Sequence, residues 1–358
     1  MAKKQETKTK KKSGFIKKVI FSFLFIAIVG GGFAAYYGYK AIYKPNVTLN
    51  GKKSTYFYIK TGSDFNTVLT DLYENNYIVN RTSFEWLADK KKYKNAVKPG
   101  RYKLKTNMSN NELINLLRSG NQEPVKVIFS NARYKEDLAG RACRNIEADS
   151  TDLIDFLNSD EYTNKIGFTP ENILAVFIPN TYEFFWNTSA EEFMKRMTKE
   201  YKAFWTDERK QKANSIGLSQ TEVAILASIV QQESLVSSEK PTIAGVYINR
   251  LNKGMLLQAD PTVIYAIGDY TIRRVLLEHL KYDSPYNTYK YKGLPPGPIC
   301  LPSASSIDAV LNYKRHEYIY FCAKEDFSGS HNFAKSTEQH NANARKFQQA
   351  MNKRKIMR

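Results

Sequence analysis

One glutamate lies at a helix position that should face the protein core. A capping box at Ser219–Glu222 predicts the start of that helix, and its apolar stripe leads through Leu226 to Glu233. Partial burial and the negative end of the helix dipole both disfavour the ionised carboxylate, so we expect the pKa of Glu233 to exceed its usual value of about 4.3. A carboxyl group of raised pKa can serve as a general acid near neutral pH. The alternative is a structural glutamate paired with an arginine such as Arg250.

Two more helices are predicted beside this glutamate. Residues 237–251 keep helical spacing of apolar side chains after a polar, proline-containing start. Asp260 precedes a proline, as an N-cap residue often does, and predicts a short helix over 261–266 that Gly268 ends. The proline- and glycine-rich segment 293–298 can form neither helix nor central strand, and we expect it to line a cleft.

The order of these segments resembles the endolytic murein transglycosylase family, also called YceG-like. The match comprises 227–233, 243–251, 254–258, 260–265, 286–289 and 293–298, with weaker similarity at 178–182, 318–321, 331–333 and 340–341. The resemblance implies that Glu233 is the catalytic residue and that the glycan strand of peptidoglycan is the substrate. The chain departs from the family pattern at Gln231, where an acidic residue is usual, and also at 177–180 and 300–303.

The resemblance also implies a reaction. Such an enzyme cleaves the β-1,4 bond between N-acetylmuramic acid and N-acetylglucosamine in nascent strands, leaves 1,6-anhydro-muramic acid ends and terminates strand elongation. An ordinary glycosidase uses two carboxyl groups. A lytic transglycosylase needs one, because the C6 hydroxyl of the substrate attacks the anomeric carbon intramolecularly. We therefore expect Glu233 to act first as acid and then as base.

Several polar side chains near Glu233 are candidates for substrate binding. Gln258, Asn249 and Tyr265 are expected to hold sugar hydroxyl or acetamido groups. Asp260 is a further candidate, although a helix N-cap would already explain it. Arg250 is expected to orient Glu233 or to meet a lactyl or peptide carboxylate, and the alternative is an ion pair on a helix surface.

Two other functions fit the sequence. A peptidoglycan hydrolase would activate water and would need a second carboxylate across the cleft, such as Glu239, Asp260 or Asp283. A non-catalytic wall-binding partner of the synthesis machinery would use Glu233 only structurally. The three functions can be distinguished by their products: the transglycosylase leaves 1,6-anhydro ends, the hydrolase leaves reducing ends, and the wall-binding partner forms no product.

The N-terminus predicts a membrane anchor. The first eighteen residues hold eight lysines and one acid, Glu6, and residues 19–39 carry no charge. About twenty apolar residues can span a bilayer. The lysines place the N-terminus in the cytoplasm, so we expect a single-pass protein of the plasma (inner) membrane with an extracytoplasmic or periplasmic catalytic domain. A cleavable signal peptide is the alternative, but the apolar segment is long and lacks a good small-residue cleavage site.

Charge and composition restrict the partners. The formal net charge is +19 at pH 7, which favours an acidic cell wall or an anionic lipid surface. Placement outside the membrane argues against nucleic acid. Peptidoglycan synthases are additional expected partners. No nucleotide or metal motif is present, so no cofactor is expected.

Cysteine and histidine spacing supports neither a disulfide framework nor a metal site. The three cysteines are far apart in the sequence and are interpreted as small buried hydrophobic residues: Cys143, Cys300 and Cys322. His331, Glu338 and His340 match no common metal-site spacing.

The expected fold class is α+β, with a single N-terminal transmembrane helix, a small α+β subdomain and a mixed α/β catalytic domain. Strand, helix, helix, strand and helix patterns follow one another over 56–117, and this subdomain resembles a LysM-like module. Such a module implies glycan binding, with a spacer role as the alternative. We divide the chain into a cytoplasmic basic tail, a transmembrane helix, a linker, the LysM-like subdomain and the YceG-like catalytic domain, at 1–18, 19–39, 40–53, 54–123 and 124–358.

Overall fold

A computed structural model describes residues 9–130 and 132–354. The chain forms two compact units. Unit 1 runs to Pro124 and also takes in Phe185–Asn187, and unit 2 comprises Val125–Phe184 and the chain from Thr188 onward. Both units combine helices with short antiparallel two-stranded sheets, which confirms the α+β class.

Unit 1 starts with one long helix, α1, over Thr9–Tyr43. Its Gly14–Tyr43 portion is long and apolar enough to cross a membrane, by length and composition, and is not buried inside the protein. The helix therefore extends beyond the predicted span 19–39 at both ends. Residues 1–8 of the expected basic tail lie outside the described residues, and 9–18 belong to α1.

The rest of unit 1 follows the predicted order of elements closely. Its two strands pair antiparallel from Ser54 opposite Lys105 to Ile59 opposite Gly100. Asp64 caps the second helix and Gly120 ends the last one in a left-handed conformation. The elements are β1 Ser54–Ile59, α2 Phe65–Glu74, α3 Arg81–Lys90, β2 Gly100–Lys105 and α4 Asn110–Ser119.

The segment 40–53, which we expected to be a linker, is packed into unit 1. Val47 and Leu49 are buried in its core, and Val47 forms a β-bridge with Ile78. The Asn110 amide donates to the Ala41 carbonyl of α1. The last turn of α1 is therefore hydrogen-bonded to the rest of unit 1.

Unit 2 contains ten α-helices and four strands among the described residues. The strands pair antiparallel, β3 with β4 and β5 with β6. The first group of elements is β3 Val125–Phe129, α5 Lys135–Ala142, α6 Ser150–Asn158, α7 Asp160–Lys165, β4 Asn180–Phe184, α8 Ala190–Phe204 and α9 Asp207–Ser215. The second group is α10 Gln220–Glu233, α11 Lys240–Asn252, α12 Asp260–Ile267, α13 Ala304–Leu311, β5 Tyr320–Ala323, β6 His331–Ala334 and α14 Thr337–Lys353.

Helix α10 is the central element of unit 2. The capping box of Ser219 and Glu222 starts it as predicted. Every residue from Val223 to Val230 is buried, because α9, α11, α12 and α13 all contact this helix. The residues of the predicted apolar stripe are buried as expected, and the opposite face is buried as well, which is typical of a helix in the protein interior.

Candidate active site

Two side chains of α10 fix the helix to the chain segment before α13. Ser228 is fully buried and its hydroxyl accepts from the Ile299 amide at 3.0 Å. The Gln231 side chain donates to the Leu301 carbonyl at 3.1 Å and accepts from the Ser303 amide at 2.7 Å. Gln231 thus serves packing at the position where the family usually has an acid. These bonds hold the C-terminal end of α10, where Glu233 is the last residue.

Glu233 is a half-buried carboxyl group with one close partner. The Tyr247 hydroxyl, on α11, donates to Glu233 Oε1 at 2.6 Å. Burial among protein atoms raises the pKa of Glu233 to about 7, the Tyr247 hydrogen bond lowers it, the charge of Asp260 raises it and that of Arg250 lowers it. The expected upward shift is confirmed, and desolvation outweighs the hydrogen bond.

Glu233 opens into a pocket of about 290 Å³. Aromatic, acidic, basic and amide side chains share its wall, so the pocket can contact both the apolar faces and the hydroxyl groups of a sugar. Its lining consists of Glu233, Tyr247, Arg250, Leu257, Gln258, Asp260, Tyr289, Tyr320, Phe321 and His340.

Asn249 lies outside this lining and holds the chain that leads to β5. Its amide donates to the carbonyls of His316 at 2.7 Å and Tyr318 at 2.9 Å. Gly245, one turn earlier on α11, lets that chain approach, because a Cβ there would lie 2.5 Å from the Lys314 carbonyl oxygen. The structure thus gives Asn249 a packing role that brings Tyr320 and Phe321 to the pocket.

Arg250 is 7% exposed and lies in the pocket wall. Its guanidinium donates to the carbonyls of Ile319 at 2.6 Å and Leu257 at 2.8 Å, and to Gln258 Oε1 at 3.1 Å. Within the described residues no carboxylate forms a salt bridge with Arg250, so the alternative prediction of an ion pair on a helix surface is wrong. Its positive charge acts on the pocket instead, where it lowers the pKa of Glu233.

Gln258 lines the pocket on a strained stretch of backbone. Its φ is 52°, in the left-handed region that side chains other than glycine rarely adopt. Its amide N–H donates to the Thr288 carbonyl at 3.1 Å, which holds this conformation. Strain of this kind tends to occur at functional sites. Since the side-chain oxygen accepts from Arg250, the side-chain NH₂ group is left to face a ligand.

Asp260 is not a helix N-cap. Helix α12 begins at Asp260 itself, its N-cap residue is Ala259, and no side chain caps it. The Thr288 hydroxyl instead accepts from the Ala259 amide at 3.0 Å. Asp260 Oδ1 accepts from the Tyr289 hydroxyl at 2.5 Å. The carboxylate is therefore placed in the pocket, where its charge raises the pKa of Glu233.

Tyr265 and the proline-rich segment 293–298 lie outside the pocket that Glu233 lines. The Tyr265 ring stacks on Tyr134, with ring centres 5.3 Å apart, and lies outside the pocket lining. Segment 293–298 contributes Gly293, Leu294 and Pro295 to a depression, as expected of a cleft-lining segment, but that depression is not the pocket that Glu233 lines. A Cβ at Gly297 would lie 1.9 Å from the Glu171 carbonyl oxygen, which explains the glycine by close packing.

Six residues of the pocket lining received no role from the sequence: Tyr247, Leu257, Tyr289, Tyr320, Phe321 and His340. Tyr247 kept the apolar period of its helix, so it was indistinguishable from a core residue. His340 stacks on Tyr320 with ring centres 5.1 Å apart, and its Nδ1 is buried without a hydrogen-bond partner in the described part of the chain. Burial and the charge of Arg250 lower the pKa of His340, which disfavours its charged form. Only their presence in the matched segments could have indicated them.

Comparison with known proteins places the chain among relatives of the same architecture. An endolytic murein transglycosylase of Bacillus subtilis (strain 168) is 30% identical over 346 residues, 91% of this chain and 93% of the relative. One from Streptococcus pneumoniae serotype 2 (strain D39) is 27% identical over 367 residues, 92% of this chain and 65% of the relative. A crystal structure of a YceG-like protein from Listeria monocytogenes superposes with a TM-score of 0.54 at 27% identity, covering 82% of this chain and 99% of that one. A sequence model of the YceG-like family matches residues 57–346. The chain belongs to the YceG-like family.

Proposed function

We propose that this protein is a membrane-anchored, endolytic peptidoglycan lytic transglycosylase. The observation that carries the proposal is a single carboxyl group of pKa about 7, Glu233, at the wall of a pocket lined by aromatic and polar side chains. A group of that pKa is half protonated at neutral pH, as an acid that later acts as a base requires. Two of the relatives are named endolytic murein transglycosylases.

In the proposed reaction, Glu233 gives its proton to the glycosidic oxygen between N-acetylmuramic acid and N-acetylglucosamine. The bond from that oxygen to the anomeric carbon breaks, and the C6 hydroxyl oxygen of the muramic acid forms a new bond to the same carbon. The hydroxyl proton returns to the Glu233 carboxylate, which restores the enzyme. The product is a 1,6-anhydro-muramic acid end. Intramolecular attack supplies the effective molarity that an activated water would otherwise provide.

Three neighbours of Glu233 are proposed to position the sugar. The Gln258 side-chain NH₂ group is available to donate to an acetamido or hydroxyl oxygen. Arg250 supplies positive charge for a lactyl or stem-peptide carboxylate. Asp260, held by Tyr289, faces the pocket as an acceptor for sugar hydroxyls and as a negative charge beside the developing oxocarbenium ion.

Unit 1 is proposed to link the enzyme to the membrane and to its substrate. Helix α1 is long and apolar enough to be the anchor, and the lysines before it favour a cytoplasmic N-terminus. The catalytic unit would then act on nascent strands outside the plasma membrane, beside peptidoglycan synthases. The order β1, α2, α3, β2 supports the LysM-like interpretation and hence glycan binding, with a spacer role as its alternative.

A hydrolase is the second candidate, because the pocket supplies a second carboxylate. Of the three acids considered from the sequence, Asp260 lines the pocket with Glu233. Glu239 instead accepts from His331, and Asp283 from Lys290 and Tyr291. If Asp260 activated water, the products would end in reducing sugars.

The test is mass spectrometry of products formed by the full-length protein in detergent from uncross-linked peptidoglycan strands. The transglycosylase proposal expects 1,6-anhydro-muramic acid ends, and a Glu233→Gln variant should lose about a thousandfold in rate because the acid is removed without changing the shape of the side chain. Reducing ends would establish the hydrolase. No cleavage by the wild-type protein would leave a wall-binding role.

A further inference from the structure

Tyr247 is the buried hydroxyl beside the proposed catalytic acid. It lies on α11 and is 1% exposed, with its ring packed edge-on against Phe321 at 5.9 Å. Its hydroxyl donates to Glu233 Oε1 at 2.6 Å. Among the described residues the hydroxyl has no other hydrogen-bond partner. Glu233 Oε2 forms no hydrogen bond there and is not among the buried unpaired polar atoms, so it is the accessible oxygen of the carboxyl group.

This arrangement restricts where the proton of Glu233 can lie. A buried hydroxyl needs an acceptor, and Oε1 is the one that Tyr247 has. If Oε1 carried the proton, it would donate to the tyrosine oxygen, and the tyrosine hydrogen would be left buried without an acceptor. A buried donor left unpaired loses its hydrogen bond to water without replacement, which is unfavourable. The protonated form of Glu233 is therefore favoured with its hydrogen on Oε2, the oxygen open to the pocket.

We propose that Tyr247 is a positioning residue that holds Oε1 of Glu233 and thereby directs the acid proton to Oε2, toward the glycosidic oxygen. This inference rests on the proposed function, since it assigns the atom from which the substrate receives its proton. The same bond fixes the carboxyl plane, so that Oε2 needs no rotation to reach the substrate. Pre-orientation of this kind lowers the barrier of the chemical step.

The electrostatics of the pocket make the inference measurable. The charged and titratable groups that line the pocket with Glu233 are Tyr247 and Arg250 from α11, Asp260 from α12, Tyr289 from the loop after it, Tyr320 from β5 and His340 from α14. The Tyr247 hydroxyl stabilises the ionised carboxylate and so lowers the pKa of Glu233. Burial and the neighbouring Glu233 raise the pKa of Tyr247 itself well above its usual value, so it remains a donor throughout.

The first experiment compares full-length wild-type protein with Tyr247→Phe, which removes one oxygen atom and keeps the ring against Phe321. Because the ionised carboxylate loses a donor, the alkaline limb of the profile of kcat/KM against pH should move to higher pH. At the optimum kcat should fall by about tenfold to a hundredfold with little change in KM, because the carboxyl group loses its fixed orientation. An unmoved limb would overturn the inference.

Tyr182→Phe is the matched control. Tyr182 is another buried tyrosine of unit 2, 5% exposed, and its hydroxyl donates to the Ile178 carbonyl at 2.6 Å. It is not part of the pocket lining, so this variant should leave the alkaline limb where it is. A shift of equal size in Tyr182→Phe would mean that the effect comes from general loosening of the core.

Two measurements that need no substrate, an NMR titration and an infrared spectrum, test this inference separately from the proposed activity. The Glu233 side-chain carboxyl carbon can be titrated by ¹³C NMR, with its signal assigned by its absence in Glu233→Gln. Its pKa should be higher in Tyr247→Phe than in the wild type. A shift in a protein that cleaves no glycan would retain the hydrogen bond from Tyr247 to Glu233 and refute the proposed activity, whereas cleavage without a shift would support the activity and overturn the role of Tyr247.

If Tyr247→Phe does not fold, an infrared measurement on the wild-type protein can still test which oxygen of Glu233 carries the proton. The infrared carbonyl band of protonated Glu233, taken as the difference from Glu233→Gln at low pH, reports which oxygen is the carbonyl. A band lowered by one hydrogen bond identifies Oε1 as the acceptor of Tyr247. A band typical of an unbonded carbonyl would place the proton on Oε1 and overturn the inference.

Discussion

Unit 1 and unit 2 each hold a group of neighbouring polar side chains, and the two groups differ in how completely their polar atoms are paired within the described residues. In unit 1 the Asn46 amide donates to Asn110 Oδ1 at 2.6 Å and to the Asn80 carbonyl, and its oxygen accepts from the Asn80 amide. The Asn110 amide donates to the Ala41 carbonyl and the Ser83 hydroxyl. Every polar atom of these two side chains has a protein partner.

The pocket of unit 2 leaves polar atoms without partners. In the described part of the chain His340 Nδ1 is buried without a partner, the accessible Glu233 Oε2 forms no hydrogen bond, and Arg250 meets carbonyls rather than a carboxylate. A fully paired buried network rigidifies a fold, whereas unpaired polar atoms cost free energy unless a ligand supplies their partners. The difference indicates that the asparagines serve stability and the pocket serves binding.

The two networks should differ most in their effect on stability at alkaline pH. Glu233 has a pKa of about 7 in the folded protein against a reference of 4.5. The folded state therefore binds the proton more tightly than the unfolded state, and wild-type stability falls as pH rises from about 4.5 to 7. Glu233→Gln removes this loss, so at pH 8 the variant should be more stable by up to roughly 3 kcal/mol.

Hydrogen exchange of α10 peptides and thermal unfolding at pH 8 and pH 4 would measure this. At pH 4 the two proteins should be alike, since the carboxyl group is protonated in both states. Glu161→Gln, which removes an exposed carboxylate of α7, is the control and should show little dependence of this kind. A Glu233→Gln protein less stable than wild type at pH 8 would mean that this carboxylate is structural.

Asn110→Ala should have the opposite effects to Glu233→Gln: the free energy of unfolding should fall, and the rate of strand cleavage should not change. It deletes the acceptor of Asn46 and the donor to the Ala41 carbonyl, both buried, at a cost of about 2 kcal/mol. Hydrogen exchange of unit 1 peptides should rise, while kcat for strand cleavage stays unchanged. Asn115→Ala, on the exposed face of the same helix, should change neither. Loss of kcat with intact unit 1 protection would end the distinction between the two networks.

The smallest effect is expected from Asp260→Asn, which keeps the acceptor for Tyr289 and removes only a charge. Since the Asp260 charge raises the pKa of Glu233, the variant should have a lower pKa. The alkaline limb of kcat/KM should move to lower pH, opposite in sign to Tyr247→Phe, with a several-fold loss of rate near pH 8. Complete loss of activity at all pH values would instead favour a hydrolase with Asp260 as its second carboxylate.

Much of the fold could be predicted because its signals are local. Capping boxes, glycine stops and strand alternation set the elements of unit 1 and the start of α10 close to where they are observed. The site was predicted less well. Asn249 and Tyr265 were chosen as polar or aromatic residues near Glu233 in sequence, but their hydrogen bonds and ring contacts direct them elsewhere.

The sequence by itself determined the long apolar α1, the family and the identity of the lone carboxylate at the end of α10, because each depends on residues adjacent in the chain or on matched motifs. Only the tertiary structure decided what surrounds that carboxylate. Tyr247, Asp260 and His340 come from three other helices, and a pKa depends on distance and burial rather than on spacing along the chain. A carboxyl group becomes a poised acid only when packing has removed its water and placed its partners.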